Sequence, residues 1–270
     1  MKSNRSYRFA FLLALLHFYG CGDLAGLGPN ATAPTFTGNW NLVGEILNPN
    51  VLDGNGNPTY TPITSWAFLS QDGTSVSGMV VDNYCLPLES TYPVTGSLNN
   101  GQLTLTPSGP PPLPIERFTL SATVSASLNT LQGNGLNYET CASSLPFTVN
   151  GQQIASFAGK WAGTVKSVSG PSTTISVNLI EGGPDSSGFP ALSGNATISG
   201  SPCFTTGAFA GHQIGNTLAG IISTTNGNIQ IPQIGGPVAN LDSSNQLLIT
   251  YSVQGGSCNG DNAQGALSRQ

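Results

Sequence analysis

The chain of 270 residues holds two histidines and twelve acidic residues, a small stock from which to build acid–base chemistry. His17 lies in an apolar N-terminal run, which leaves His212, in Ala210-Gly211-His212-Gln213-Ile214, as the one imidazole of the remaining chain. A Ser-His-Asp arrangement could therefore be assembled only once, and neither a G-x-S-x-G turn nor an H-E-x-x-H pair occurs. Metal sites built from several histidines are excluded by the same count. Paired carboxylates, which cleave glycosidic bonds as acid with base or nucleophile, are the remaining option. Glu45, Asp53, Asp72, Asp82, Glu89, Glu116, Glu139, Glu181, Asp185, Asp242 and Asp261 fall in loops or at strand ends, with Asp23 near the N-terminus, and each reads as a solvated surface group. Asp53-Gly54-Asn55-Gly56-Asn57-Pro58 begins like a calcium loop, but Pro58 stands where the loop needs glycine and Thr64 where it needs glutamate. It reads as an Asn/Gly turn, a looser calcium site through Asp53 being the alternative. No catalytic residue, metal or cofactor is expected.

Cysteine chemistry is more informative. Five cysteines make an odd count, and setting Cys21 aside leaves four that can pair. Cys85 and Cys141 are 56 residues apart, Cys203 and Cys258 55. Two near-equal intervals favour Cys85–Cys141 with Cys203–Cys258 among the three connectivities, and imply an oxidising compartment. Zinc ligation is disfavoured, because structural zinc sites bring cysteines as close pairs and these four are widely spaced.

The N-terminus supports that address. Lys2, Arg5 and Arg8 precede the apolar run Phe9–Gly20, which at twelve residues is too short to span a bilayer and reads as a secretory signal peptide over 1–20. Gly20-Cys21-Gly22 resembles the cleavage and lipidation site of bacterial lipoproteins, which implies a lipid on Cys21 and a membrane anchor. An ordinary signal peptide cut nearby is the alternative. Cleavage removes three of seven cations and none of twelve acids, leaving four against twelve, a net charge of −8. Charged residues are only 7% of the chain, where a globular domain carries about a quarter. That composition excludes polybasic nucleic-acid binders, coiled coils and multi-span membrane proteins. An acidic exported protein, anchored at a periplasmic or cell-surface face and most simply at the outer membrane, is expected.

The elements that must carry these residues come in duplicate. Phe36-Thr37-Gly38-Asn39-Trp40 returns as Phe157-Ala158-Gly159-Lys160-Trp161 after 121 residues, and Val76-Ser77-Gly78 as Leu192-Ser193-Gly194 after 116. The paired cysteines repeat at offsets of 118 and 117, and Asn100-Gly101, a hairpin-turn dipeptide, is matched to Asn226-Gly227. A flexible tether over 21–34 is expected to lead into two β units, 35–152 and 153–270. Alternating apolar segments such as Thr174-Ile175-Ser176-Val177-Asn178-Leu179, bounded by Gly, Pro, Asn and Ser, predict seven or eight short strands per unit. No helical periodicity competes with them.

The fold class is thus all-β: two tandem antiparallel meander barrels, a pair of β-sandwiches being the alternative. Gly38-x-Trp40 and Gly159-x-Trp161 at the start of the first strand resemble the opening of lipocalins, which implies small barrels closed at one end by the tryptophan. The order G-x-W, S-G, Cys, N-G, Gly256-Ser257-Cys258 behind a lipoprotein leader is similar to uncharacterised envelope lipoproteins of acidobacterial type, and no activity comes with that resemblance. What repeats is framework: Glu45 falls on Lys166 and Asp82 on Gly200, while Trp, Gly and Cys are retained. A non-catalytic envelope module is expected, binding a small apolar or glycan ligand or a protein partner and not nucleic acid. Trp66, Tyr84, Tyr92 and Phe204 are the candidate exposed aromatics, and Gly109-Pro110-Pro111-Pro112-Leu113-Pro114 reads as a stiff loop inserted in the first unit. A carboxylate-dependent hydrolase acting on envelope glycans is the alternative.

Overall fold

In a computed structural model the described residues are 35–82, 90–108, 117–138, 145–168, 170–231, 239–241 and 246–270. The segments around Cys21, Cys85 and Cys141, with Tyr84 and the Pro-rich stretch 109–114, lie outside them. Met1–Ala33 and Pro34–Gln270 form two units, and every described strand belongs to the second.

Its first barrel is closed by eight antiparallel strands in sequence order: β1 (Gly38–Leu52), β2 (Pro58–Asp72), β3 (Ser75–Asp82), β4 (Ser90–Asn99), β5 (Gln102–Pro107), β6 (Arg117–Val124), β7 (Thr130–Tyr138) and β8 (Leu145–Ile154). β8 returns to pair with β1, Asn39 opposite Ile154 and Ile46 opposite Phe147. The second barrel contains β9 (Gly159–Ser167), β10 (Ser172–Pro184), β11 (Pro190–Ser199), β12 (Thr206–Ile214), β13 (Thr217–Thr224), β14 (Gly227–Ile231), β16 (Gln246–Gln254) and β17 (Asn262–Arg269). Pairing of β12 with β13 and of β17 with β9 closes it, and a short β15 (Ala239–Leu241) lies against β13 and β16. The sandwich alternative is therefore set aside.

Period-two patterning explains the closure. Along β10, Thr173, Ile175, Val177 and Leu179 are buried while Ser172, Thr174, Ser176, Asn178 and Ile180 face out. The interiors are packed with side chains: Trp40, Leu42, Ile46, Leu69, Leu103 and Leu105 in the first barrel, and Trp161, Ile175, Leu179, Leu192, Ile229 and Leu247 in the second, all at most 3% exposed. An eight-stranded barrel is just wide enough for side chains to fill it.

The duplicated motif plugs one end of each barrel. The Trp40 indole N–H donates to the Phe36 carbonyl at 3.2 Å, and that of Trp161 to the Phe157 carbonyl at 2.8 Å. On the last strand, the residue opposite each tryptophan holds the entering chain. In the first barrel this is Gln153, whose amide donates to the carbonyls of Thr35 and Thr37. In the second it is Arg269, whose guanidinium donates to the Ser156 carbonyl and lies 4.8 Å from the Trp161 ring centroid. Gly78 and Gly194 are equivalent too: a Cβ on either would come within 2.0 Å of a carbonyl oxygen of the preceding strand, Phe68 or Asn178.

The hairpin landmark needs correction. Asn100 and Gly101 have φ of 47° and 76° and join β4 to β5, the geometry of a two-residue primed turn. By strand order their counterpart is Gly215-Asn216, between β12 and β13, with Gly215 at φ 55°. Asn226-Gly227 sits one connection later: Gly227 pairs with Thr224, so Thr225 and Asn226 make the turn from β13 to β14.

The plugged end of the second barrel rests on the outer wall of the first. Phe189 and Ile214 pack with Val81, Trp66, Phe68 and Met79, and the Trp66 indole donates to Asn216 Oδ1 at 3.2 Å. Gln213, fully buried, accepts from the Phe157 N–H and donates to the carbonyls of Ala155 and Gly215, fixing the chain that joins the barrels. Trp66 is thus a junction residue and Tyr92 is buried, so these two proposed surface aromatics are not available to a ligand in solution; Phe204, 5% exposed, packs in the second core and borders a cavity there.

Candidate functional site

Strand direction puts the β9–β10, β11–β12 and β16–β17 connections of the second barrel at the end away from Trp161. Ser167 ends β9, Thr173 is the second residue of β10, the Ser201–Thr205 loop follows β11, and the Gly255–Asp261 loop joins β16 to β17. Cys203 and Cys258 in the two loops are disulfide-bonded, with Cα atoms 6.2 Å apart and a sequence separation of 55. This is the second of the two expected pairs; Cys85 and Cys141 lie outside the described residues. The turn from β13 adds a clasp, as Asn226 Nδ2 donates to Ser257 Oγ at 2.8 Å and to the Cys203 carbonyl at 3.3 Å.

Beneath the bridged loops is a cavity of about 330 Å³ whose lining includes Ser167, Thr173, Phe204, Tyr251, Cys258 and Asp261. That volume lies at the lower end of the range for small-molecule sites, roughly 300–1,000 Å³. Its polar groups are positioned from three sides. Ser167 Oγ donates to Asp261 Oδ1 at 2.7 Å and accepts from the Gly170 N–H at 2.8 Å. Ser201 Oγ accepts from the N–H groups of Cys203 and Phe204, which shapes the opposite rim.

Tyr251 stands on the inward face of β16 and is 4% exposed, yet its hydroxyl has no hydrogen-bond partner among the described residues. The hydroxyl is not one of the buried unpaired polar atoms, so it keeps contact with the cavity, where a ligand group or water can meet it. Burial pushes the phenol up to about 12, and the Asp261 carboxylate adds to this by opposing a second negative charge. The group is therefore a neutral donor at any physiological pH. On alkaline titration, absorbance at 295 nm is expected to show one tyrosine ionising near 12. Because the folded value exceeds the unfolded one of about 10, stability is expected to fall as pH rises from 10 toward 12. A Tyr251→Phe variant that keeps the late-titrating signal would contradict the assignment.

Among the described residues Asp261 is the one carboxylate lining the cavity. Asp53 caps its own turn: the backbone N–H groups of Asn57 and Asn55 donate to its carboxylate and hold it below the usual range, so the Asn/Gly-turn reading applies. Among the described residues no group of three His, Cys, Asp or Glu side chains is placed to hold a metal. His212, on β12, has Nδ1 3.0 Å from Asp185 Oδ2, and Ser187 Oγ donates to Asp185 Oδ1. Serine, aspartate and histidine thus meet, but the serine bonds to the carboxylate and not to the imidazole, the reverse of what nucleophile activation needs. Burial pushes the Asp185 carboxyl up, and the Ser187 and His212 contacts outweigh it and hold it below its ordinary value.

Sequence reasoning missed the cavity because its members are common residue types drawn from several elements. The signal that could have found it was Asp261 three residues beyond Cys258 in a glycine-rich loop.

Fold and site together define a class: a tandem pair of packed β-barrels, with one polar cavity under a disulfide-bridged mouth. No protein-family model and no curated protein matches the chain. Among solved structures it is similar to a protein of unknown function of the DUF3598 family from Nostoc punctiforme, at 10% identity over 87% of this chain and 96% of that chain, TM-score 0.25. It is also similar to kievitone hydratase from Nectria haematococca, at 13% identity over 86% of this chain and 88% of that chain, TM-score 0.24. Neither likeness bears on function, and the twin-barrel fold stands on the chain's own strand pairing.

Proposed function

We propose that the protein is a non-catalytic binding module of the bacterial cell envelope, and that the cavity at the disulfide mouth of the second barrel takes a small, uncharged, polyhydroxylated ligand of one or two sugar units. The observation that carries this reading is the Tyr251 hydroxyl, neutral and without a hydrogen-bond partner among the described residues, on the cavity wall. Asp261 and Ser167 supply acceptor and hydroxyl functions beside it, and Phe204 an apolar surface for the ligand's C–H groups. Hydrolysis is disfavoured because a glycosidase needs two carboxylates about 5–10 Å apart, and the cavity wall offers one. Packed interiors likewise disfavour an apolar cargo held in a lumen.

Isothermal titration with a panel of neutral mono- and disaccharides tests the reading. Saturable binding is expected for at least one sugar, weakened about tenfold by Tyr251→Phe, in line with the ~1–1.5 kcal/mol worth of one hydrogen bond. Binding unaffected by Tyr251→Phe and by Asp261→Asn would contradict it. The lipid anchor at Cys21, and with it the outer-membrane address, is part of the same proposal. Metabolic labelling with a fatty acid is expected to mark the protein and to fail with Cys21→Ser; labelling that persists in that variant would refute the anchor.

A further inference from the structure

The outer wall of the first barrel carries a second feature, independent of the disulfide mouth. Cross-strand register lines its outward residues up in rows. One row runs Val43, Asn150, Gln132, Thr123, Gln102 and Asn99 across β1, β8, β7, β6, β5 and β4. A neighbouring row runs Glu45, Thr148, Asn134, Ser121, Thr104 and Ser97 over the same strands. Glu45 at the margin is the one charged residue of the twelve. The wall is thus one of amides and hydroxyls with a single carboxylate, in keeping with a chain of which 7% is charged.

The wall is also indented. A groove of about 590 Å³ indents its β1, β8 and β7 side, bordered by Asn41, Val43, Asn150, Gln152, Thr130 and Gln132. Val43 is 45% exposed there and gives the groove an apolar spot. Asn41 Oδ1 is buried without a hydrogen-bond partner at the groove's β1 side. An orphan acceptor of that kind is costly, and the cost is removed when the amide turns to meet a donor from a ligand.

We propose that this groove binds one extended, uncharged polysaccharide chain laid across the strands. Adjacent strands are spaced by ~4.8 Å, so a chain laid across β1, β8 and β7 would meet Asn150 and Gln132 in turn, with sugar C–H faces over Val43. Neutral wall and neutral chain are matched in charge, so attachment gains from hydrogen bonds and contact and not from long-range attraction. This site lies on the first barrel and goes beyond the sugar-sized cavity of the second, so either can fail without the other.

Affinity electrophoresis of the full chain tests it, in native gels containing a soluble neutral β-glucan or xylan, with anionic polygalacturonate as the contrast. Retardation is expected in at least one neutral gel, little changed between 50 and 500 mM salt and absent in polygalacturonate. The double variant Gln132→Ala/Asn150→Ala, both exposed positions, is expected to lose at least tenfold in apparent affinity, and Gln152→Arg to block the groove. Both should keep the wild-type melting temperature and small-saccharide binding at the Tyr251 cavity, while Tyr251→Phe should keep polymer retardation. No retardation in any neutral gel, retardation unchanged in both groove variants, or retardation lost with Tyr251→Phe would each overturn the proposal.

Discussion

Trp161→Ala is expected to lower unfolding stability by about 3–5 kcal/mol, the range for truncating a buried large aromatic side chain. Trp161 is 1% exposed, its ring meets Phe157 edge-on at 6.1 Å between centroids, its N–H is spent on the Phe157 carbonyl, and Arg269 covers its face. Truncation leaves a cavity at the plugged end, an unpaired carbonyl, and a guanidinium without its aromatic partner. The same end forms the junction with the first barrel, so the loss should also loosen Phe189 and Ile214 from Trp66. Urea unfolding of wild type and variant, followed by hydrogen exchange resolved by barrel, provides the check. Amides of β9, β10 and β17 should lose protection first, and a loss below about 1 kcal/mol would show that the motif is not the plug. Trp40→Ala should act on the first barrel in the same way.

Removing the Cys203–Cys258 bridge is expected to have the second large effect. The bond closes a 55-residue separation that spans half of the second barrel's strands, for which chain entropy predicts a stabilisation of ~3–5 kcal/mol. The bridge also ties together the two loops that roof the Tyr251 cavity, with Asn226 clasped to both. The double variant Cys203→Ser/Cys258→Ser should therefore melt earlier and bind any cavity ligand at least tenfold more weakly, because the loops must be ordered at the moment of binding. A variant that melts earlier but binds as wild type would separate the bridge from the site.

Legibility in the sequence followed repetition. Phe-x-Gly-x-Trp at an offset of 121 and the Ser-Gly step at 116 mark positions where backbone and plug geometry admit few alternatives, and the structure puts both pairs in equivalent places. Asn100-Gly101 and Asn226-Gly227 were mismatched because Asn-Gly suits many hairpins, and strand order, which the dipeptide does not carry, decides equivalence. Trp66 reads in the sequence as an exposed aromatic, and its role at the junction becomes visible only when the second barrel is packed against it. The cavity was not legible, because Ser167 and Asp261, 94 residues apart, become a pair only through closure of β17 on β9.

The most direct test of the central claim, that ligand binding resides in the disulfide mouth of the second barrel, is amide chemical-shift mapping during titration with a neutral saccharide. The proposal predicts perturbations centred on Ser167, Phe204, Tyr251 and Asp261, absent in Tyr251→Phe. Perturbations confined to the first barrel or to the Trp161 end of the second, or no saturable change with any neutral sugar, would contradict it.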